Sequence, residues 1–421
     1  MNLTIRFSPL IFLYSFIVLV IFTALRNLTT IYMGIVGLGL IIFLIKNLSS
    51  IYKFHQSFLP YYLFIFMTFF VIIWSFFYMQ SLEPISGIPR ILLMPLLALI
   101  LLLHVRDDKD FETLLKVICF CFLVGALSLI YQFFFGTVSW FAASATRGVL
   151  VRYTSILGSL TVFGSIVGYL VILIYGPLNL FKNALSRFIF LTSLLVAMAL
   201  SLSKTSMLIF GIASILLLFY NLRYEGLSIK AGNLSLFILL ILSIPIIITF
   251  NPTLQTYASS LLTIVAGIDA SSISSSLVDV NDVRTSTLSW YSITERLYGF
   301  TLLAYKEYGN FLWLFGVGLK GGAGVMGMEG ISAHNGFLEL FLMGGPIYLL
   351  ITILMILDLQ FFLLRDIKNK LSATFFLLNS IFIIIAIVTS GALFQPSISI
   401  LFWLSLAYVY NKRIRSYKLS E

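Results

Sequence analysis

Charge is what this chain has least of. Charged residues fill 10% of its 421 positions and hydrophobic ones 60%. A soluble globular chain carries about 25% charge, so an ordinary water-facing surface is excluded. Cysteine occurs twice and histidine three times. Cys119 and Cys121 stand two apart in one apolar run, on different helix faces, with no histidine nearby to complete a metal site, which leaves lipid-facing or packing roles. No Walker loop, dinucleotide fingerprint, H-E-x-x-H or G-x-S-x-G occurs in a setting that could use it. The glycine-rich stretch GLKGGAGVMGMEG follows no strand and reads as a flexible loop.

What the chain does have is a series of apolar runs, mostly about 17 to 24 residues long, the length of a helix crossing roughly 30 Å of hydrocarbon. Barrel strands of about ten alternating residues do not fit. The pattern predicts an all-α integral membrane protein, residues 1–421 forming one transmembrane domain of about 12 helices. The spans fall at about 9–25, 29–46, 58–79, 90–104, 113–136, 156–175, 187–203, 205–221, 234–250, 335–357, 372–393 and 397–411. The first run lacks a small-x-small cleavage site and reads as a retained helix.

An even number of spans puts both termini on one side. If that side is the cytoplasm, most of the 26 lysines and arginines fall inside, among them Lys109, Lys116, Lys182, Arg187, Arg365, Lys368, Lys370, Lys412, Arg413 and Arg415. The net charge of +10 is then explained by short cytoplasmic connections and anionic lipid headgroups, and a nucleic-acid partner is rejected. The run Arg106 to Asp110, with its paired carboxylates, reads as a solvated connection.

Two longer segments, about 136–155 and 251–333, lie on the outer side and form the candidate active-site face. The second contains a serine-rich stretch and then an aromatic run with apolar residues at helical spacing from Leu297 through Leu303, which predicts an amphipathic helix on the outer surface. It ends in Gly316-Val317-Gly318, suited to a tight turn.

This topology leaves His334 as the one outer histidine, because His55 and His104 fall at the cytoplasmic ends of spans. Asn335 is positioned as the N-cap of the following helix. A positive helix end disfavours imidazolium, so a histidine there stays neutral and able to accept a proton; a capping or packing histidine is the plainer alternative. Arg147, Arg152, Lys204, Arg284, Arg296, Lys306 and Lys320 share its side. Lys204 stands out, in SLSKTS between two apolar runs with almost no loop, as a binding cation or as a lysine snorkelling from a tight turn. Arg296 follows Glu295, with which it could simply pair. Together, a neutral base and several fixed cations suit a substrate carrying a phosphate or diphosphate on a lipid.

At these residues the sequence resembles the O-antigen polymerase and O-antigen ligase family of bacterial membrane glycosyltransferases. The matching features are His334-Asn335 leading into a span, with Gly344-Gly345 about ten residues later; Arg296 about twenty residues ahead of Gly316-Val317-Gly318; and Arg152 in VRYTSILGS. Lys204 stands where the family usually has an arginine, which keeps the charge and loses the planar fork.

The resemblance implies an inverting, metal-independent and cofactor-free transfer of an undecaprenyl-diphosphate-linked glycan on the outer face of the bacterial cytoplasmic membrane. His334 would be the base, with Arg296 acting beside it and Arg152 and Lys204 holding the diphosphate. Arg147, Asn335, Arg284 and Lys320 are the further candidate substrate contacts, membrane lipids the surroundings, and a chain-length regulator an additional partner. Polymerase, with another repeat unit as acceptor, is the leading expectation because Lys204 marks a divergent member; ligase, with lipid A-core as acceptor, is the alternative. From other classes stand a flippase or transporter, against which no internal repeat is evident and few charges fall at span centres, and a scaffold or sensor of the export machinery that binds glycan without turning it over.

Overall fold

The computed structural model describes residues 9–22, 29–46, 58–80, 82–105, 107–138, 141, 145–147, 150–201, 203–225, 314–319, 335–389 and 391–418. These are mostly helical. Helices α1 (Pro9–Ile21), α2 (Thr29–Lys46), α3 (Leu59–Met79), α4 (Ile88–His104) and α5 (Asp108–Phe135) come first. A hairpin of β1 (Ala145–Arg147) and β2 (Leu150–Arg152) leads into α6 (Leu160–Tyr175), α7 (Ala184–Ser201) and α8 (Lys204–Tyr220). Then follow α9 (Gly336–Arg365), α10 (Lys370–Val388) and α11 (Pro396–Lys418).

Among the described residues, six helices are long and apolar enough to cross a membrane: Leu59–Tyr78, Asp108–Phe135, Ala184–Ser201, Thr205–Tyr224, Gly336–Arg365 and Lys370–Val388. Each stretch expected as a span coincides with a helix, except 234–250, which lies outside the described residues. The amphipathic run from Leu297 also lies outside them.

Two details differ from the expected pattern. The segment 136–155 contains an antiparallel ladder, pairing Ala145 with Arg152 and Arg147 with Leu150, where the described residues are otherwise mostly helical. Strands of three residues are too short for alternation to stand out in a sequence. And α5 begins at Asp108, so the run expected as a solvated connection is in part a helix start; Asp108 and Asp110 occupy its first turn, where carboxylates oppose the positive helix end.

Helix α11 is the hub. Its side chains from Ser397 to Tyr410 are buried on every face, including Trp403, Tyr408 and Tyr410, as expected of a helix apolar all round. Around it pack α1, α4, α6, α9 and α10. Helices α6 and α8 approach through a small-residue face: a Cβ on Gly164 would stand 3.0 Å from Ser203 Oγ, and one on Gly168 2.5 Å from Ile209 Cγ2. Cys119 and Cys121 are both buried, which settles their role as packing. Large apolar side chains stand on the outer faces, among them Phe66, Phe77, Phe120 and Phe361, each more than half exposed, as a lipid-facing surface allows.

The two ends of the bundle differ in chemistry. At one, Arg413 grips Asp358 through two hydrogen bonds of 2.8 Å, Lys412 pairs with Asp366, Arg415 donates to Asp108 at 2.9 Å, and Asn411 Nδ2 donates to Val105 O at 2.7 Å. At the other end gather the start of α4, the segment 153–159, the α7–α8 turn, the start of α9 and the turn 391–395.

Candidate functional site

The start of α9 organises this second end. Asn335 has extended backbone (φ −146°, ψ 116°), and its Oδ1 accepts the Leu338 N–H at 2.9 Å, the N-cap expected from its place before an apolar run. Gly336 follows with almost no clearance, since a Cβ there would stand 3.2 Å from both Ala386 O and Thr389 O at the end of α10. One turn in, Glu339 donates its backbone N–H to Asn335 O at 3.0 Å. Its buried carboxylate accepts the Gly391 N–H and faces Arg90 of α4, with Nη2 to Oε1 at 3.7 Å. An uncompensated carboxylate in an apolar helix would cost several kcal/mol; here an N–H and a guanidinium compensate it. Gly391 has φ +67°, and any Cβ there would strike the Arg90 guanidinium, so that position needs glycine twice over.

Further along, α9 breaks. Gly345 takes φ 71°, ψ −171°, and Pro346 has no N–H for Leu342 O. The segment 314–319 fills the gap. Val317 N–H donates to Leu342 O at 2.7 Å and Gly318 N–H to Met343 O at 3.0 Å. Helix α3 clasps the other side: Trp74 Nε1 donates to Gly316 O at 3.1 Å, and Ser75 Oγ accepts the Leu319 N–H at 2.7 Å. Gly316 and Gly318 have φ of +72° and +76°, and Cβ atoms on them would lie 2.6 Å from Leu342 O and 2.5 Å from Ser75 Oγ. The Gly-x-Gly turn and the glycine pair, separate motifs in the sequence, are therefore one physical unit. A Cβ on Gly87 would sit 3.7 Å from Leu319 Cβ, which joins this unit to the start of α4 and so to Arg90.

The α7–α8 turn lies close by. Ser203 caps α8, its side chain accepting the Ser206 N–H, and Lys204 is the first helical residue. Ser201, Ser203 and Ser206 are buried, so the turn is enclosed in the bundle. Gly164 of α6 touches Ser203, while its neighbour Ser165 meets Thr389 with 3.4 Å between hydroxyl oxygens. An unbroken series of contacts thus runs from the start of α8 through α6 and Thr389 to Gly336 and Asn335.

The hairpin register puts positions 147 and 152 on the same face. The chain after β2 is fastened to helices by Gln132 Nε2 donating to Thr154 O at 2.6 Å, Ser155 Oγ to Gly125 O at 3.0 Å, and Ser397 Oγ to Leu157 O at 3.4 Å.

His334, Arg284, Arg296, Lys306 and Lys320 lie outside the described residues. Of the expected site residues, the structure brings the α8 start opened by Lys204 and the α9 start capped by Asn335 onto one contact network, while the chain after the strand bearing Arg152 is tethered to α5 and α11. Arg90 and Glu339 were not singled out in the sequence. Their signal is there: each is an ionisable residue in the first turn of a helix that continues as a long apolar run. Among the described residues, no group of three or more His, Cys, Asp or Glu side chains clusters as a metal site would. Compared with protein-family models and with curated proteins, the chain matches none.

Proposed function

We propose that this chain is a polymerase of undecaprenyl-diphosphate-linked oligosaccharide repeat units, a glycosyltransferase working on the outer face of the bacterial cytoplasmic membrane. It spans that membrane about twelve times with both termini in the cytoplasm. The observation that carries the reading is the meeting, at one end of the bundle, of the α9 start that follows His334, the α8 start at Lys204 and the Gly316–Gly318 turn seated in the α9 break.

In this reading His334 takes the proton from an acceptor sugar hydroxyl as its oxygen attacks the anomeric carbon. The bond from that carbon to the diphosphate breaks on the opposite face, which inverts the configuration, and the lipid diphosphate leaves with the electron pair. Arg296, Arg152 and Lys204 hold the diphosphate and stabilise its growing charge. Arg147, Arg284, Lys320 and Asn335 contact the glycan or its diphosphate. The acceptor is a second lipid-linked repeat unit; lipid A-core in its place would make the chain a ligase.

A transporter reading would look to the broken helix α9, since interrupted helices with bare carbonyls hold coupling ions in many transporters. Here Leu342 O and Met343 O are already bonded to the Val317 and Gly318 N–H groups, which favours a structural clasp. His334→Ala is expected to abolish polymer in cells while leaving membrane-inserted protein at wild-type abundance. Polymer of normal length from that variant removes His334 as the base.

A further inference from the structure

Among the described residues, three arginine–carboxylate pairs occur, and two of them, Arg413–Asp358 and Arg90–Glu339, are opposite in character. Arg413 closes on Asp358 with both nitrogens at 2.8 Å, the fork geometry of a guanidinium whose task is to hold a carboxylate. Arg90 does not close on Glu339. Its nearest approach is 3.7 Å, beyond hydrogen-bonding distance, and among the described residues its five N–H donors make no hydrogen bond. Glu339 is the enclosed member, its side chain 9% exposed against 27% for Arg90. One of its carboxylate oxygens is taken by the Gly391 N–H. So the acid is committed to the protein, while the cation is fixed in place with its donors unspent.

The location gives those donors a purpose. Glu339 is bonded through its backbone N–H to Asn335 O, so the acid that faces the guanidinium sits one helical turn after the residue that follows His334. Arg90 also enters α4 beside the Gly316–Gly318 clasp, through the contact of Gly87 with Leu319. A partly exposed guanidinium with unspent donors at the end of an apolar helix can take an anionic ligand.

We infer that Arg90 binds anionic phosphate oxygens of the lipid diphosphate, with Glu339 and Gly391 as the positioning residues that hold its fork open. The inference rests on the glycosyltransferase reading above and adds to it a cation that the sequence motifs did not contain.

The test uses the full chain purified in detergent, with farnesyl diphosphate as the probe and phosphatidylglycerol as competitor. Wild type, Arg90→Gln, Arg90→Lys and Glu339→Gln are compared for affinity, thermal unfolding and turnover of lipid-linked repeat units. Arg90→Gln is expected to weaken probe binding about tenfold to a hundredfold, the loss of one or two charge-assisted hydrogen bonds. It should raise KM for the lipid-linked donor more than it lowers kcat. Arg90→Lys should bind with intermediate affinity, and Glu339→Gln should weaken binding a few-fold. Phosphatidylglycerol should compete poorly.

Arg90→Gln binding the probe as wild type does overturns the inference while leaving the glycosyltransferase reading intact. So does an Arg90→Gln that fails to fold beside an Arg90→Lys that folds and keeps wild-type affinity, because that pattern marks a structural ion pair. Equal competition by phosphatidylglycerol overturns it too, since the site would then recognise any anionic headgroup. A wild-type protein that neither binds the probe nor turns over lipid-linked units overturns the inference and the function together.

Discussion

Lys204 is the first residue of α8, directly after the capping Ser203. If the site needs its charge, Lys204→Arg keeps polymer formation and Lys204→Ala loses most of it, read as polymer yield per unit of membrane-inserted protein. Equal yields from the two variants make Lys204 a bystander. Glu339 makes a prediction of another kind: Glu339→Ala strands the Gly391 N–H and removes the counter-charge of Arg90. About 1–3 kcal/mol of stability should go with it, measured by thermal or denaturant unfolding in detergent. The role of Asn335 was legible because capping is local, a matter of one side chain and an N–H three residues on. Arg90 was not legible. An arginine at the edge of an apolar run looks like an ordinary interfacial residue, and no spacing in the sequence ties it to a glutamate on a helix so much later in the chain.

At the scale of elements, α9 shows how a break is made safe. Pro346 and the positive φ of Gly345 free two carbonyls, and the turn 316–318 returns two N–H groups to them. Gly316→Ala would force a side chain into a left-handed backbone, about 1–2 kcal/mol, and into Leu342 O at 2.6 Å as well. The expected outcome is a lower unfolding temperature together with reduced activity, because the clasp ties the 314–319 segment to α3 and α9. An unchanged unfolding temperature would mean the clasp is not formed. The helices themselves were readable from hydropathy, since each needs only a run of apolar residues. The clasp was half readable: Gly344-Gly345-Pro346 announces a break and Gly316-x-Gly318 a turn, yet their union depends on backbone hydrogen bonds between distant segments. The short hairpin left no pattern that could have been read.

Across the molecule, the pairs Arg413–Asp358, Lys412–Asp366 and Arg415–Asp108 stand at the end of the bundle opposite the candidate site and its Arg90–Glu339 pair, with α11 running between as an apolar hub. This separation predicts that stability and activity can be perturbed independently. Arg413→Ala leaves Asp358 without its bidentate partner and should cost roughly 1.5–3 kcal/mol, the upper part reduced by the partial exposure of both groups. Asp358→Ala in the same chain should restore part of that loss, a coupling that a double-mutant cycle on unfolding free energies reads directly. Polymer formed per folded molecule should not change in any of the three variants.

The central claim is that this chain alone extends lipid-linked glycan. Purified protein is mixed with undecaprenyl-diphosphate-linked repeat units, with no lipid A-core present, and the products are sized. The account predicts a ladder of longer lipid-linked chains that is absent with His334→Ala. Repeat units left at their starting length by the wild-type protein, with transfer appearing only when lipid A-core is added or not at all, would contradict it.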